Sequence, residues 1–279
     1  MEAKEKTIEM VRERISTYCD QKGMSRAELA VKIGVSPSVL SAIENGKKSS
    51  VSGAMARKIL AAISTAGPGV LFDTRDFSTM FKACNFARRE RAMVGVIGDT
   101  GTGKTTAMRA YMEANRNTYA VTFEKSMTPR RFFAALLREM GVSYEGGVND
   151  MVSRAAEEIN KAEGPLITID EAGKMTHPVM LHLHDLREKT QGNCGVVLVG
   201  MPYFRANLEK AASRGKEGAA EFLRRINVWF AFRGLSRDEA VFVAKNGGVT
   251  DETDLVRFSV MKRFCDITNE ILLLKAMEE

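Results

Sequence analysis

The sequence has no hydrophobic run long enough to cross a membrane. Its longest apolar stretches, such as residues 195–199, fall well short of the roughly 20 residues that a spanning helix needs. Four of the first six residues are charged, and no apolar segment of the kind found in signal peptides follows them. We therefore expect a cytoplasmic protein without a membrane partner.

Residues that form disulfides or bind transition metals are also few. The four cysteines, at positions 19, 84, 194 and 265, are too far apart for a zinc finger and argue against a disulfide framework. The three histidines, at positions 177, 182 and 184, lack the i, i+4 spacing of a helical zinc site. This composition is typical of a protein in a reducing compartment.

The chain is large enough for about two domains, since it has 279 residues. It is 44% hydrophobic and 27% charged, which excludes a disordered tail. The net charge of +6 permits a polyanionic partner without requiring one. Residues 1–66 hold much of this excess, with eleven basic and seven acidic side chains.

One segment, residues 64–69, divides the chain. Its small residues end in Gly-Pro-Gly, which breaks helices and favours a linker. The pattern before it is helical, whereas short apolar strands alternate with amphipathic helices after it. We therefore predict a helical domain in residues 1–66, a linker in 67–76, an α/β core in 77–234 and a short helical lid in 235–279.

The N-terminal domain carries a helix-turn-helix pattern. Ser25 and Glu28 form a capping box, and Gly34 suits a left-handed helix end. Ser36-Pro37 begins a second helix, with Ser36 as its N-cap and Pro37 in its first turn. Residues 15–63 resemble the Cro and phage-repressor family of DNA-binding domains. The resemblance implies that the helix over residues 36–45 enters the major groove of double-stranded DNA.

The predicted DNA-contacting face reads bases weakly, because it lacks the arginine that makes a bidentate contact with guanine. We expect largely non-specific binding, with lysines on phosphates. A small bundle that docks a protein is the alternative. The candidate DNA-contacting residues of this domain are Ser36, Ser38, Ser41, Asn45, Lys47 and Lys48.

A phosphate-binding loop follows a predicted strand over residues 92–97 and precedes a helix. The octapeptide at 98–105 fits the pattern G-x-x-x-x-G-K-[ST], in the strand-to-helix context that supports ATP binding. Lys104 is expected to reach the β- and γ-phosphates, and the Thr105 hydroxyl to ligate Mg²⁺. The predicted ATP-binding residues are Gly98, Asp99, Thr100, Gly101, Thr102, Gly103, Lys104, Thr105 and Thr106.

Two acids complete the predicted site at the end of a strand over residues 166–169. Asp170 is expected to hold Mg²⁺ with Thr105, directly or through water, and Glu171 to activate the attacking water as general base. An ordinary acid-rich helix start is the alternative. The phosphate-binding loop about 65 residues upstream favours the catalytic interpretation.

Further apolar strands at residues 118–123, 195–199 and 228–232 predict a core of five parallel strands. The Asp-Glu pair and this order resemble the AAA+ superfamily of P-loop ATPases. The resemblance implies that an arginine from a neighbouring subunit completes the catalytic site. Arg225 is the first candidate and Arg224 the second, against the alternative of a basic, solvated helix end.

A narrower resemblance rests on the segments 169–172, 183–190, 196–202 and 234–239. They are similar to the Mu B-type transposition ATPases, which also carry an N-terminal helix-turn-helix. The resemblance implies an ATP-bound helical homo-oligomer on duplex DNA that delivers target DNA to a transposase. It also implies a DNA path along the loop and helix after the second strand. The candidates there are Lys125, Ser126, Thr128, Arg130 and Arg131.

The sequence departs from many AAA+ proteins where a polar sensor residue follows the fourth strand. Gly200-Met201-Pro202 stands there, and the C-terminal segment has no clear Gly-x-Arg sensor. We therefore expect a slow ATPase that works as a switch. Two alternatives remain: a helicase-loader AAA+ protein, and a transcription regulator in which the P-loop domain senses nucleotide.

Overall fold

The structure is a computed structural model that describes residues 11–12, 15–16, 18–20, 23–45, 55, 59, 72–190 and 192–278. Its helices are α1 (Arg26–Ile33), α2 (Pro37–Glu44), α3 (Arg75–Glu90), α4 (Lys104–Ala114), α5 (Pro129–Glu139), α6 (Val148–Lys161), α7 (His177–Lys189), α8 (Pro202–Ser213), α9 (Ala219–Arg225), α10 (Arg237–Asn246), α11 (Glu252–Phe258) and α12 (Phe264–Glu278). Its strands are β1 (Met93–Ile97), β2 (Thr118–Thr122), β3 (Leu166–Asp170), β4 (Gly195–Gly200) and β5 (Ile226–Ala231).

The five strands form one parallel sheet in the order β2-β3-β4-β1-β5. Strands β3 and β4 are buried along their whole length, as their mostly apolar sequences predict for a sheet covered on both faces. Parallel pairing brings the carboxyl ends of all strands to one edge. Asp170 and the loop after β1 therefore meet at the same edge, and the predicted P-loop core of five parallel strands is confirmed.

Two apolar layers cover the sheet. One layer packs Phe132, Phe133 and Leu183 from α5 and α7 against Ile167 and Leu198 of the sheet. The other is built by α3 and α4, which bury side chains such as Met80 and Tyr111 against β1 and β4. The resulting three-layer α/β arrangement fixes the ends of the strands, where the candidate site lies.

The C-terminal helices α10, α11 and α12 form a small apolar core of their own around Ala240, Phe258 and Ile267. They occupy the segment 235–279, for which the sequence predicts a short helical lid. Helix α3 begins at Arg75, inside the segment 67–76 that the sequence assigns to a linker, and Thr74 caps it by accepting a hydrogen bond from the Phe77 N–H at 3.2 Å. No helix in the described ranges is long and apolar enough to span a membrane.

The first helix of the helix-turn-helix has the predicted capping box, whereas the second lacks the predicted side-chain cap. The Ser25 hydroxyl accepts from the Glu28 N–H at 3.2 Å, the Glu28 carboxylate accepts from the Ser25 N–H at 2.6 Å, and Gly34 has a φ of 64°. The Ser36 side chain was expected to cap α2 but makes no such bond. Its hydroxyl lies 2.7 Å from the Ser38 hydroxyl instead, and Pro37 alone favours the helix start.

Helix α1 of this module packs against the C-terminal end of α5. Lys32 Nζ lies 2.9 Å from Glu139 Oε2, and the Arg116 guanidinium donates to the Asp20 carbonyl at 2.6 Å. Burial lowers the pKa of Lys32, but Glu139 and Tyr18 outweigh it and the net shift is upward. Helix α5 therefore begins at the predicted DNA-contacting loop, and its C-terminal end contacts the helix-turn-helix.

Candidate nucleotide-binding site

The phosphate-binding loop, residues 98–103, joins β1 to α4 at the carboxyl edge of the sheet. The Gly98 N–H donates to the Gly200 carbonyl at 3.2 Å, which ties the loop to the end of β4. Gly101 and Gly103 have φ values of 73° and 88°, a backbone conformation that residues with a side chain rarely adopt. The glycines therefore permit the tight turn that directs the N–H groups at the start of α4 to one point.

Lys104, the first residue of α4, folds back over this loop. Its ammonium donates to the carbonyls of Gly98 at 2.8 Å and Asp99 at 2.6 Å. Burial lowers the pKa of Lys104, while the nearby carboxylates of Asp170 and Glu171 act in the opposite direction. The ammonium lies at the phosphate end of the cavity, where a triphosphate would offer it stronger, charged acceptors.

Thr105 and Asp170 are brought together from elements 65 residues apart, since the Thr105 hydroxyl donates to Asp170 Oδ2 at 2.7 Å. Asp170, at the end of β3, is only 3% exposed, and its Oδ1 accepts from the Glu171 N–H at 2.8 Å. This oxygen donor set fits Mg²⁺, which prefers hydroxyl, carboxylate, phosphate and water oxygens. Among the described residues, no group of three His, Cys, Asp or Glu side chains is placed to bind another metal.

Glu171 has an unusual backbone, with a φ of 56° and a ψ of 34° in the left-handed region. Such a conformation at a residue other than glycine stores strain and occurs often at functional sites. Glu171 directly follows β3 and lines the cavity. Its Oε2 lies 3.1 Å from Lys174 Nζ. No sequence motif predicts this ion pair between Glu171 and Lys174.

A cavity of about 720 Å³ extends from this loop to the C-terminal helices. Of the predicted ATP-binding residues, those from Thr100 to Thr106 line it, while Gly98 and Asp99 contribute carbonyls behind it. Beside this loop, the rest of the lining is mostly apolar and aromatic. It includes Phe72, Phe77, Phe232, Val243, Asn246, Phe264 and Ile271.

Sequence reasoning missed this apolar part of the cavity. Phe72 and Phe264 are far apart in sequence, yet their rings stack with centroids 6.2 Å apart. The Phe264 N–H donates to the Gly101 carbonyl at 2.9 Å, so the start of α12 touches the phosphate-binding loop directly. Only the fold brings these residues together, and no local motif marks them.

Arg225 lies far from the phosphate-binding loop of its own chain. It ends α9 directly before β5, at the amino edge of the sheet, and pairs there with Glu188 of α7. Arg224 is exposed. Within one chain neither arginine belongs to the cavity, so a catalytic role for either requires a second copy.

The candidate DNA-contacting residues lie on two exposed surfaces. In the helix-turn-helix, all four described candidates are exposed, opposite the buried Leu40 and Ile43; Lys47 and Lys48 lie outside the described residues. In the core, the five candidates between positions 125 and 131 are also exposed. Thr128 caps α5 by accepting from the Arg131 N–H at 3.4 Å and keeps a hydroxyl proton to donate. The four exposed candidates in the helix-turn-helix are Ser36, Ser38, Ser41 and Asn45.

Comparisons with known protein families match both modules. The AAA domain family matches residues 87–208, and a helix-turn-helix family matches residues 15–65. The Mu-like prophage FluMu DNA transposition protein B of Haemophilus influenzae is 26% identical over 197 residues, covering 67% of this chain and 68% of that protein. The ATP-dependent target DNA activator B of Escherichia phage Mu is 26% identical over 206 residues, covering 69% of this chain and 64% of that protein.

A solved structure also resembles the fold. The Orc1 protein of Aeropyrum pernix in complex with DNA superposes with a TM-score of 0.49 at 17% identity, over 66% of this chain and 51% of that one. The chain spans just under two thirds of the length of the phage Mu activator, at 64%.

Proposed function

We propose that this chain, a relative of the Mu B transposition proteins with a helix-turn-helix domain and an AAA domain, is an ATP-dependent, largely sequence-non-specific DNA-binding ATPase. Its ATP-bound copies assemble on duplex DNA in the bacterial cytoplasm and deliver that DNA to a transposase. The observation that carries this proposal is the meeting of Lys104, Thr105, Asp170 and Glu171 at one edge of the sheet, in a chain that also holds a helix-turn-helix.

The reaction at this site is hydrolysis of ATP to ADP and phosphate. Lys104 and the N–H groups at the start of α4 would bind the phosphates, and Thr105 and Asp170 would hold a Mg²⁺ ion, directly or through water. When bound, the ion would neutralise part of the phosphate charge. Glu171 accepts a proton from the water that attacks the γ-phosphorus, a role for which its carboxylate at the cavity wall is suited.

Hydrolysis acts as a switch on assembly in this proposal. Arg225 of one copy reaches the γ-phosphate held by the next copy, because it lies at the edge of the sheet opposite its own phosphate-binding loop. ATP thereby stabilises contacts between copies, and its hydrolysis, stimulated by DNA or the transposase, weakens them. To reach that phosphate, the Arg225 guanidinium must first break its ion pair with Glu188 of its own chain.

Electron microscopy and footprinting on long duplex DNA test the proposed function. With Mg²⁺ and a non-hydrolysable ATP analogue, we expect regular oligomers and protection of long duplex of arbitrary sequence; without nucleotide we expect neither. Protection of one short site whatever the nucleotide would instead identify a transcription regulator. Capture of a replicative helicase, but not of a transposase, would favour the helicase loader.

The double change Arg130→Ala/Arg131→Ala tests the loop before α5 as part of the DNA path. Each arginine that neutralises a phosphate adds about 0.9 to the slope of log affinity against log salt, so we expect the slope to fall by about two for each bound copy. The measurement is fluorescence anisotropy of labelled duplex over a salt series with the ATP analogue. Arg89→Ala, at an exposed arginine that pairs with Glu90 on α3, is the control. An unchanged slope in the double variant would remove this loop from the DNA path.

A further inference from the structure

The carboxylate of Asp76 is buried, and within the described ranges its hydrogen-bond donors are backbone N–H groups. It lies in the first turn of α3 and is 5% exposed. Its Oδ1 accepts from the Arg233 N–H at 3.0 Å, and its Oδ2 accepts from the Gly234 N–H at 2.8 Å. Burial raises the pKa of Asp76, although these two hydrogen bonds oppose the shift. A buried carboxylate bound to two consecutive N–H groups fixes the local chain direction.

The backbone that Asp76 binds is the connection between the sheet and the C-terminal helices. We call residues 233–236, between β5 and α10, the hinge. Gly234 has a φ of 77°, and a Cβ there would lie 2.5 Å from the Lys262 carbonyl oxygen, so the hinge is tightly packed. It is the direct covalent path from β5 to the small core of the lid.

Arg75 adds a second set of bonds to the same segment. Its N–H donates to Glu239 Oε1 at 2.6 Å, and its guanidinium donates to the Gly234 carbonyl at 3.4 Å. Burial would raise the pKa of Glu239, but hydrogen bonds from the Ser236 and Arg75 N–H groups lower it overall. The first turn of α3 therefore holds both the hinge and the first turn of α10.

The same elements form the apolar walls of the nucleotide cavity. Phe72 and Phe77, on either side of Asp76 in sequence, line the cavity together with Val243 of α10 and Phe264 of α12, and the rings of Phe72 and Phe264 stack on each other. The bonds of Asp76 to the hinge therefore connect the start of α3 to the lid at the place where both contribute to the cavity lining. Lys104, Asp170 and Glu171 belong to the core and make no hydrogen bond to the hinge among the described residues, although the charge of Asp76 is one of those that oppose the lowering of the pKa of Lys104.

We propose that Asp76 is a positioning residue for ATP: by holding the hinge, its carboxylate keeps the lid in place over the apolar part of the cavity. This inference rests on the proposed function. Its effect is on affinity for the nucleotide, since the residues that contact the phosphates are elsewhere. Loosening the hinge increases the range of lid positions, and ATP binding must then order the lid.

The decisive variant is Asp76→Asn, which keeps the size of the side chain but offers one acceptor oxygen. The second N–H of the hinge then faces an amide NH₂ and loses its partner. Asp73→Asn is the matched control, because Asp73 lies three residues away, is exposed, and accepts a hydrogen bond from the Ser78 hydroxyl at 3.2 Å.

Limited trypsin digestion reports the state of the hinge without nucleotide, because Arg233 is exposed and its peptide bond to the buried Gly234 is one that trypsin can cleave. Mass spectrometry of peptides that end at Arg233 or begin at Gly234 measures cleavage at this bond. We expect this cleavage to be at least about tenfold faster in Asp76→Asn than in the unaltered protein. Asp73→Asn should be cleaved at the rate of the unaltered protein.

Binding and turnover report the positioning role. In Asp76→Asn we expect the Kd of a fluorescent ATP analogue and the KM for ATP to rise roughly tenfold, with kcat changed less than about twofold. Glu239→Gln weakens the second set of bonds and should shift KM in the same direction by less, which provides a test if Asp76→Asn fails to fold. Faster cleavage with unchanged affinity, or unchanged cleavage, would overturn the inference. Absence of ATP binding by the unaltered protein would overturn the proposed function itself, and the cleavage rates would still show whether Asp76 holds the hinge.

Discussion

Replacing Lys104 with alanine is expected to abolish measurable ATP binding and, with it, ATP-dependent binding to DNA. The ammonium now donates to two loop carbonyls, at 2.6 and 2.8 Å, and lies within reach of bound phosphates. Each hydrogen bond from this ammonium to a phosphate oxygen of bound ATP would contribute about 1.5–3 kcal/mol, so losing two such bonds corresponds to more than about 100-fold in affinity. We do not expect arginine at position 104 to restore ATP binding, because a planar guanidinium does not fit where a compact ammonium is held between two carbonyl oxygens.

Titration with a fluorescent ATP analogue measures the first effect, and anisotropy of labelled duplex with and without ATP measures the second. Lys82→Ala removes an exposed lysine from α3 and serves as the control for loss of positive charge. A thermal unfolding curve identifies any variant that fails to fold. If Lys104→Ala loses ATP binding and still binds DNA as tightly as the unaltered protein does with ATP, nucleotide and DNA binding are not coupled.

The phosphate end of the site could be predicted from sequence because its signals are local. A strand, a glycine-rich loop and a helix start are contiguous, and parallel pairing then requires the end of β3 to lie at the same edge. The pairing of Thr105 with Asp170 follows from these two facts. Their roles in ATP binding and hydrolysis remain predictions, as does the role of Glu171.

The apolar part of the cavity and the hinge could not be predicted in this way. Asp76 and Arg233 are 157 residues apart, and their contact depends on where α3 packs beside β5 and the lid. Phe72 falls in a segment that composition assigns to a linker, because glycine and proline dominate its neighbourhood. Residues joined only by tertiary packing leave no spacing for a motif to detect.

Arg225 shows a different limit of sequence reasoning. Its position before the last strand was predicted, and the structure places it there, but its pairing with Glu188 was not foreseen. An ion pair between two helices needs their relative placement, which the sequence does not contain. The proposed catalytic role of Arg225 in a neighbouring copy therefore competes with a bond inside its own chain.

Replacing Glu171 with glutamine is expected to leave ATP binding intact and to slow hydrolysis by about 10²- to 10⁴-fold, the usual contribution of a general base. Glutamine keeps the size of the side chain and its ability to orient water, but it cannot take up a proton at neutral pH. Single-turnover hydrolysis of radiolabelled ATP measures the effect. Glu157→Gln, at an exposed acid on α6 that pairs with Arg154, is the control.

The ion pair between Glu171 and Lys174 complicates this substitution, because glutamine also frees the lysine. The double variant Glu171→Gln/Lys174→Ala separates the two effects. If the freed ammonium caused the slow hydrolysis, the double variant would recover turnover. If the missing base causes it, as we expect, the double variant stays as slow as the single one.

The same substitution tests whether ATP hydrolysis limits the lifetime of the assembly on DNA. When copies are joined by bound ATP, a variant that binds but does not hydrolyse it must remain assembled after excess unlabelled duplex is added, whereas the unaltered protein dissociates as ATP is consumed. Stopped-flow anisotropy gives both lifetimes. Equal lifetimes would separate hydrolysis from disassembly, and failure of Glu171→Gln to assemble with ATP would contradict the assignment of Glu171 as a residue needed only after binding.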